Sequence, residues 1–354
     1  MTSDSFDAPL PAPAAGLTSA GPACPREDAR VSVIVPAYGV AHLLCEALTS
    51  LQRQTFIDWE CIVIDDGAPD DVAGAVAPFL EDPRIRFLAT ANQGVSAARN
   101  AAIAAARAPL VALLDGDDLF RPGYLATVVP ILESDPEVRL VTCNALIFGS
   151  VARLRCCVER PHATQGGLAE VLDRSFNVYI GTTFRRADFE TVGGFDIRMA
   201  QSEDFDLWVR LMMLGGKAHY IADVLGEYRV RPGSASANAG RMLLGNIRAY
   251  EKARAALPPD APEIPLLDRL LADSRAALAF EHAIDCIVDG DTRRGLAELQ
   301  RTRSQVAGIT WRASFALWQL FPALARPMLR WRRRAHSRGA AGSAIYPSFL
   351  ETEG

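Results

Sequence analysis

The chain has 354 residues, 49% of them hydrophobic and 22% charged, with a formal net charge of −5 and a pI near 5.6. That length holds one large α/β domain with an appendage, or two domains, and the acidic balance argues against a nucleic-acid binder, which would carry a basic domain. No apolar run reaches the roughly 20 residues needed to cross a bilayer.

Seven cysteines, Cys24, Cys45, Cys61, Cys143, Cys156, Cys157 and Cys286, show neither CxxC pairs nor His partners at zinc spacing. They read as small buried hydrophobes in a reducing cytoplasm. Residues 1–29 are biased to Pro, Ala, Gly and Ser and lack the basic and apolar regions of a secretory signal, so they read as a disordered leader.

From Val31 the text changes to VSVIVPAY, β-branched and apolar, followed by a helical period through Leu43, Leu44, Ala47, Leu48 and Leu51. A second strand, Trp59–Ile64, ends in Asp65-Asp66-Gly67. A helix over 70–80, a short strand at 85–88, the loop Asn92-Gln93-Gly94 and a helix over 95–107 come next. The apolar run Leu110–Leu114 then stops abruptly at Asp115-Gly116-Asp117-Asp118. Strands alternating with helices at this spacing predict a parallel sheet with right-handed crossovers. Three strands end in polar clusters, at 36–39, 65–67 and 115–118, which should converge on the carboxyl edge where open α/β sheets gather ligands.

Three carboxylates this crowded repel one another, and a divalent cation would neutralise them. An acidic strand-to-turn junction is the plain alternative, because Asp and Gly are ordinary turn residues and Gly116 lets the backbone turn. Neither GxGxxG nor GxxxxGK[ST] follows the first strand, so phosphates would be held without a glycine cradle. Asp65 and Asp66 are placed to accept hydrogen bonds from a base or ribose, or simply to form their turn. Arg99 and Asn100 fall in the first turns of a helix whose amino end favours anions. Arg99 either touches ribose or phosphate or salt-bridges an aspartate of this edge.

Further on, Pro122 lies near the start of a helix running to about Ser134, and a strand covers 138–143. The stretch 145–180, with Arg153, Arg155, Cys156, Cys157 and Phe176, carries no readable code for an acceptor. GTTFRRADFETVGGFD supplies a strand, a short helix and a Gly193-Gly194-Phe195 turn, which either lets the backbone approach a sugar closely or is a plain turn. Glu203 and Asp204 open a helix with a core stripe at Leu207, Trp208, Leu211 and Met212. The helix dipole alone accommodates acids at that end.

Five of these stretches, SVIVPAY, IDDG, NQGVSAARN, LLDGDD and SEDFDLWVRL, closely resemble, in that order, the motifs of the family 2 glycosyltransferases of the GT-A fold. The resemblance spans about residues 30–235. It implies an α/β, GT-A type, Rossmann-like, mostly parallel sheet flanked by helices, and an inverting transferase using a nucleotide-diphospho-sugar and Mg²⁺ or Mn²⁺. By position it implies that Pro36, Tyr38, Asp65 and Asp66 line the nucleoside pocket. Asp115 and Asp117 would be the metal-associated DxD pair, and Asp204 the base, with Glu203 its competitor. Asn92, Gly94, Arg99, Gly116 and Arg231 complete the expected donor site. Departures from the family pattern are Gly39 in place of Asn, Ala68 in place of Ser, and Arg231 where many members carry His. Arg cannot ligate a cation but pairs with phosphate, so Arg231 is expected at the pyrophosphate.

The expected acceptor is a glycan or glycolipid hydroxyl, in cell-surface polysaccharide or glycolipid synthesis at a cytoplasmic location. A nucleotidyltransferase would need a basic, glycine-rich loop, and PAYGVAHLL has no Lys or Arg. A non-catalytic nucleotide-sugar-binding or scaffold module of the same fold is the other rival, against which Asp115, Asp117 and Asp204 speak together. Residues 240–338 read as a helical C-terminal region and 339–354 as a flexible tail. Within 311–338, Trp311, Phe315, Trp318, Phe321 and Trp331 join Arg330, Arg332, Arg333 and Arg334, which suits an interfacial helix at the inner face of the membrane. A docked helix with a solvated basic tail is the preferred reading, since Lys217 and Lys252 are the only lysines and arginine reflects general usage.

Overall fold

The apolar runs of the first half pair side by side. A computed structural model of the chain describes residues 18–20, 28–151, 153–159, 162–179, 181–231, 239–301 and 309–331. Its strands and helices are, in order, β1 (Thr18–Ala20), β2 (Val31–Ala37), α1 (Ala41–Gln52), β3 (Trp59–Asp66), α2 (Val72–Val76), β4 (Ile85–Thr90), α3 (Val95–Ala104), β5 (Leu110–Leu113), β6 (Leu119–Phe120) and α4 (Tyr124–Ser134). Then come β7 (Val138–Gly149), β8 (Arg155–Cys156), β9 (Gln165–Gly166), α5 (Leu168–Leu172), β10 (Thr183–Arg185), α6 (Arg186–Thr191), α7 (Glu203–Met212) and β11 (Lys217–Val230). Helices α8 (Ala239–Ala256), α9 (Ile264–Asp289), α10 (Thr292–Arg301) and α11 (Ile309–Leu320) follow.

The sheet order is β1-β4-β3-β2-β5-β10-β7-β11-β6. Strands β4, β3, β2 and β5 are parallel, as expected, and in chain order β2, β3, β4 and β5 are each joined to the next by a crossover that contains a helix. They are apolar on both faces because helices cover both: Val33, Ile34, Val35, Ile62, Val63, Ile64, Val111, Ala112 and Leu113 are all buried. Helix α1 contributes Leu44, Ala47, Leu48 and Leu51 to that cover, the stripe its sequence announces. Beyond β5 the sheet turns antiparallel: β10 pairs antiparallel with both β5 and β7, and β11 with β6. The sheet expected to be mostly parallel is therefore mixed, parallel across β4-β3-β2-β5 and antiparallel beyond β5 and at the β1 edge.

Several boundaries differ from expectation for local reasons. The helix expected over 70–80 is α2 followed by a tight turn at Ala77–Phe79, because Pro78 has no N–H to continue the α-helical ladder. Strand β7 runs to Gly149 instead of stopping at Cys143, and α3 ends at Ala104. Thr18–Ala20, inside the expected disordered leader, forms an edge strand on β4, a pairing made by backbone groups. Residues 1–17 and 21–27 of that leader and the tail 339–354 lie outside the described residues. The six described cysteines are free, but Cys45 is exposed on α1, so it is not the buried hydrophobe expected.

The chain divides into two compact units, residues 1–147 with 155–229, and residues 148–154 with 230–354. The second has its own core, built by Phe280, Ala283, Ile284 and Ile287 of α9, Leu296 and Leu299 of α10, and Trp318, Ala325 and Leu329. Among the described residues no helix is long and apolar enough to cross a membrane.

Candidate active site

Registers of the parallel strands bring the polar clusters together. Ala37 lies opposite Asp65, and Val31 is opposite Leu110, so β2, β3 and β5 end side by side. Tyr38 is 53% exposed there and Pro36 half-buried. Within the acidic run burial alternates: Asp115 and Asp117 are half-buried, Gly116 and Asp118 buried. Gly116 is required less by its turn than by its neighbours, since a Cβ there would stand 3.0 Å from the Pro36 carbonyl oxygen, 3.0 Å from Val40 and 3.1 Å from Leu44.

The end of β3 is tied to the loop before α3. Asp66 accepts from Gln93 N–H and Gly94 N–H, both at 2.9 Å, and Asp65 accepts from Ala68 N–H at 2.8 Å. Gly67, with φ of +61°, lets the turn approach the loop so closely that a Cβ would lie 2.6 Å from Asn92 N. Asn92 and Gly94 thus sit beside the two aspartates. Asp70, which no sequence signal singled out, accepts from Gly39 N–H at 3.0 Å and Ala41 N–H at 2.6 Å, fixing the start of α1.

Arg99 takes the salt-bridging option. Its guanidinium, 3% exposed, donates to Asp115 at 2.6 Å and to Glu203 at 2.9 Å, and lies 5.4 Å from the centre of the Phe195 ring. Burial opposes its charge, but Asp115 and Glu203 override that and hold it above the usual arginine value. The next residue, Asn100, donates to Phe195 O at 2.8 Å and accepts from Phe195 N–H at 2.9 Å. That double bond clamps the turn at Gly193 and Gly194, whose φ values are +77° and +70°. Burial, and then Asp204, push the Glu203 carboxyl up, while Arg99 pulls it back. Asp204 accepts from Phe205 N–H at 2.7 Å. Both acids follow Ser202, buried and held at φ of +57°, a strained position at the start of α7.

Asp118 has a different part from its neighbours. It accepts from Arg229 N–H at 2.8 Å and from the Tyr179 hydroxyl at 3.2 Å, and burial, Asp115 and Asp117 push its carboxyl well up. Arg229 also donates to Asp117 O at 2.8 Å and pairs with Glu46 at 2.9 Å. Arg231 follows β11, half-buried, and belongs to the second unit. Among the described residues no three His, Cys, Asp or Glu side chains gather as a metal site. Two half-buried carboxylates, Asp115 and Asp117, nevertheless fit a hard divalent cation that takes its other oxygens from water and a bound phosphate, the usual arrangement for Mg²⁺.

Residues 32–193 match the family model described as Glycosyl transferase family 2. They are a family 2 glycosyltransferase domain. Glu203 and Asp204 lie beyond the matched span. Over 217 residues, 59% of this chain, the domain region is 31% identical to an uncharacterized protein of Sinorhizobium fredii, covering 23% of that protein. The chain spans about a fifth of the length of the first curated relatives it matches. It is 24% identical over 227 residues, 61% of this chain and 83% of the other, to the Escherichia coli protein named UDP-Glc:alpha-D-GlcNAc-diphosphoundecaprenol beta-1,3-glucosyltransferase WfgD. Among solved structures it resembles the mannosyltransferase PcManGT from Pyrobaculum calidifontis, in complex with GDP-Man and Mn²⁺, with a TM-score of 0.56, 21% identity, and 89% of each chain covered. The shared architecture is the GT-A fold of the glycosyltransferases.

Proposed function

We propose that the chain transfers a sugar, with inversion, from a nucleotide-diphospho-sugar to a hydroxyl of a glycan or glycolipid acceptor on the cytoplasmic side, in cell-surface polysaccharide or glycolipid synthesis. The observation that carries this reading is the buried Arg99, which joins Asp115 at the strand edge to Glu203 at the start of α7. It brings acids from two elements onto one cation. The names of the Escherichia coli relative, a UDP-Glc-dependent glucosyltransferase, and of the Pyrobaculum structure, bound to GDP-Man, support the donor class without choosing the base.

In this reading Pro36, Tyr38, Asp65 and Asp66 line the nucleoside pocket, with Asn92 and Gly94 beside it in the loop that Asp66 ties down through Gln93 N–H and Gly94 N–H. Asp115 and Asp117 hold Mg²⁺ or Mn²⁺, with Gly116 packed between them. When bound, the cation supplies positive charge that lowers the cost of the departing diphosphate. Asp204 takes the proton from the attacking acceptor hydroxyl. Glu203 is less suited, since its carboxylate is engaged by Arg99, and successive helix residues point about 100° apart, so one of the two acids faces the sugar.

Thermal shift with UDP-, GDP- and dTDP-sugars, each with Mn²⁺ or with EDTA, tests the donor site, because a ligand that binds the folded state raises apparent stability. One nucleotide class should stabilise the protein in Mn²⁺, and Asp117→Asn should weaken that shift without lowering the ligand-free melting point. Equal shifts in EDTA would remove the cation from this account.

A further inference from the structure

The segment 313–331 of the second unit has two apolar faces. One is buried: Trp318, Ala325 and Leu329 pack into the core formed with α9 and α10. Trp318 Nε1 donates to the sulfur of Met328 at 3.3 Å, and Arg326 and Arg330 donate to Val288 O at 3.1 and 3.2 Å, near the carboxyl end of α9. The docked helix of the preferred reading is thus present. The opposite face carries Leu317, Leu320, Phe321, Leu324, Met328 and Trp331, exposed to as much as 75% at Leu320 and 73% at Trp331. These six are half of the twelve large apolar side chains exposed among the described residues. Exposed large apolar side chains concentrated in one segment mark a binding surface.

Charge says what would cover it. Between Glu298 and Glu351 the sequence has nine arginines and no Asp, Glu or Lys, leaving −14 on the rest of a chain whose net charge is −5. Apolar contact alone would suit a second copy, but two such segments repel each other. Nucleic acid would match the arginines and leave the leucines unexplained. A surface that is apolar below and anionic above matches both, with Phe321 and Trp331 at the depth where aromatic rings settle and the positive charge of the stretch matched by the headgroups.

We infer that the face formed by Leu317, Leu320, Phe321, Leu324, Met328 and Trp331, in a stretch of chain whose only charged side chains are arginines, seats the protein on an anionic lipid surface. The segment lies on the bilayer and does not enter it. The inference rests on the second unit alone, not on the donor-site reading. It places the enzyme where a lipid-linked acceptor would be met. Residues 332–338 contribute by sequence only, since they lie outside the described residues.

The test is co-sedimentation of the full chain with vesicles of phosphatidylcholine, with and without phosphatidylglycerol, at low and high salt. Binding is expected to need phosphatidylglycerol and to weaken with salt. Leu320→Gln with Phe321→Gln, outward-facing changes that keep the buried face, should abolish it with an unchanged melting curve. Gln at Arg332, Arg333 and Arg334 should weaken partitioning on the order of a hundredfold. Trp331 fluorescence should shift to the blue on binding, by comparison with Trp331→Phe. No sedimentation at low salt, equal binding to neutral vesicles, or a dimer with no vesicle binding would overturn the inference; so would unchanged binding by the Gln variants.

Discussion

At the amino edge of the parallel strands the buried Glu60 and the half-buried Asp82 are both matched. Glu60 accepts from the Ser32 hydroxyl at 2.6 Å, Arg107 N–H at 2.8 Å and Arg86 at 3.1 Å. Asp82 is gripped by Arg84 at 2.8 and 2.9 Å and reached by Gln52 at 3.3 Å. At the carboxyl edge Asp115, Glu203 and Asp204 lie around Arg99, Asp117 and Asp118 meet Arg229 through the Asp117 carbonyl and the Asp118 carboxylate, and Asp65 and Asp66 are held by backbone N–H groups. The same chain balances charge at one end of its strands and leaves negative charge in excess at the other. Crowded carboxylates are costly to the fold, so their concentration at one edge agrees with the proposal that a divalent cation is held there.

If that contrast is functional, changes at the two edges should fail in different assays. The largest effect is expected at Asp204. General-base catalysis contributes about 10²–10⁴-fold, so Asp204→Asn should cut turnover by that factor and leave donor-induced thermal shifts nearly intact. Glu203→Gln should cost less, through the position of Arg99. The reverse order of effects would exchange the two roles, and a product with the donor's anomeric configuration would sink the inverting mechanism.

Next comes Arg99. Arg99→Met strands Asp115 and Glu203 without their shared cation, and breaking a buried pair costs about 3–5 kcal/mol. The expected loss is near the lower figure, because the Asp115 side chain keeps 28% of its exposure. Urea denaturation of Arg99→Met and of the double variant with Glu203→Gln separates charge from packing. The double variant should recover part of the loss, and one that is no more stable than Arg99→Met would assign Arg99 to packing against Phe195.

These contrasts also show what was legible. The run LVALLDGDD announced a buried strand and an acidic end, since period and composition are local signals. The different part of Asp118 was not legible: its partners Tyr179 and Arg229 stand 61 and 111 residues away. Arg99 was half legible, as a ribose or phosphate contact or as a salt bridge. Its choice depends on Glu203, 104 residues on and outside any local pattern. Gly116 read as a turn former, whereas the crowding by Pro36, Val40 and Leu44 appears only once β2, α1 and β5 are packed. The antiparallel half escaped for a similar reason. Strand β10 is three residues long, too short for any periodicity, and takes its direction from β5 and β7. The outward stripe on 317–331 was visible as composition, but which residues faced out depended on the α9–α10 core.

The smallest effect belongs to the amino edge and serves as the control. Hydrogen bonds from the Arg84 guanidinium hold the Asp82 carboxyl below its ordinary value of 3.8, against the opposing effect of burial. An acid whose pKa is depressed in the folded state stabilises it at higher pH, and that contribution is lost as pH falls through the folded value. Asp82→Asn should therefore lower stability near pH 7, by about 0.2–1 kcal/mol for a pair this close to solvent, and by almost nothing near pH 2. Arg84 also stacks 3.9 Å from the centre of the Trp59 ring, a contact the substitution leaves in place, which keeps the loss small. Urea midpoints at the two pH values measure the difference, and turnover should stay at the level of the unchanged protein. A stability loss equal at both pH values would mean that Asp82 acts through its shape in the loop before β4. A loss of turnover without a loss of stability would break the division between a structural and a functional edge.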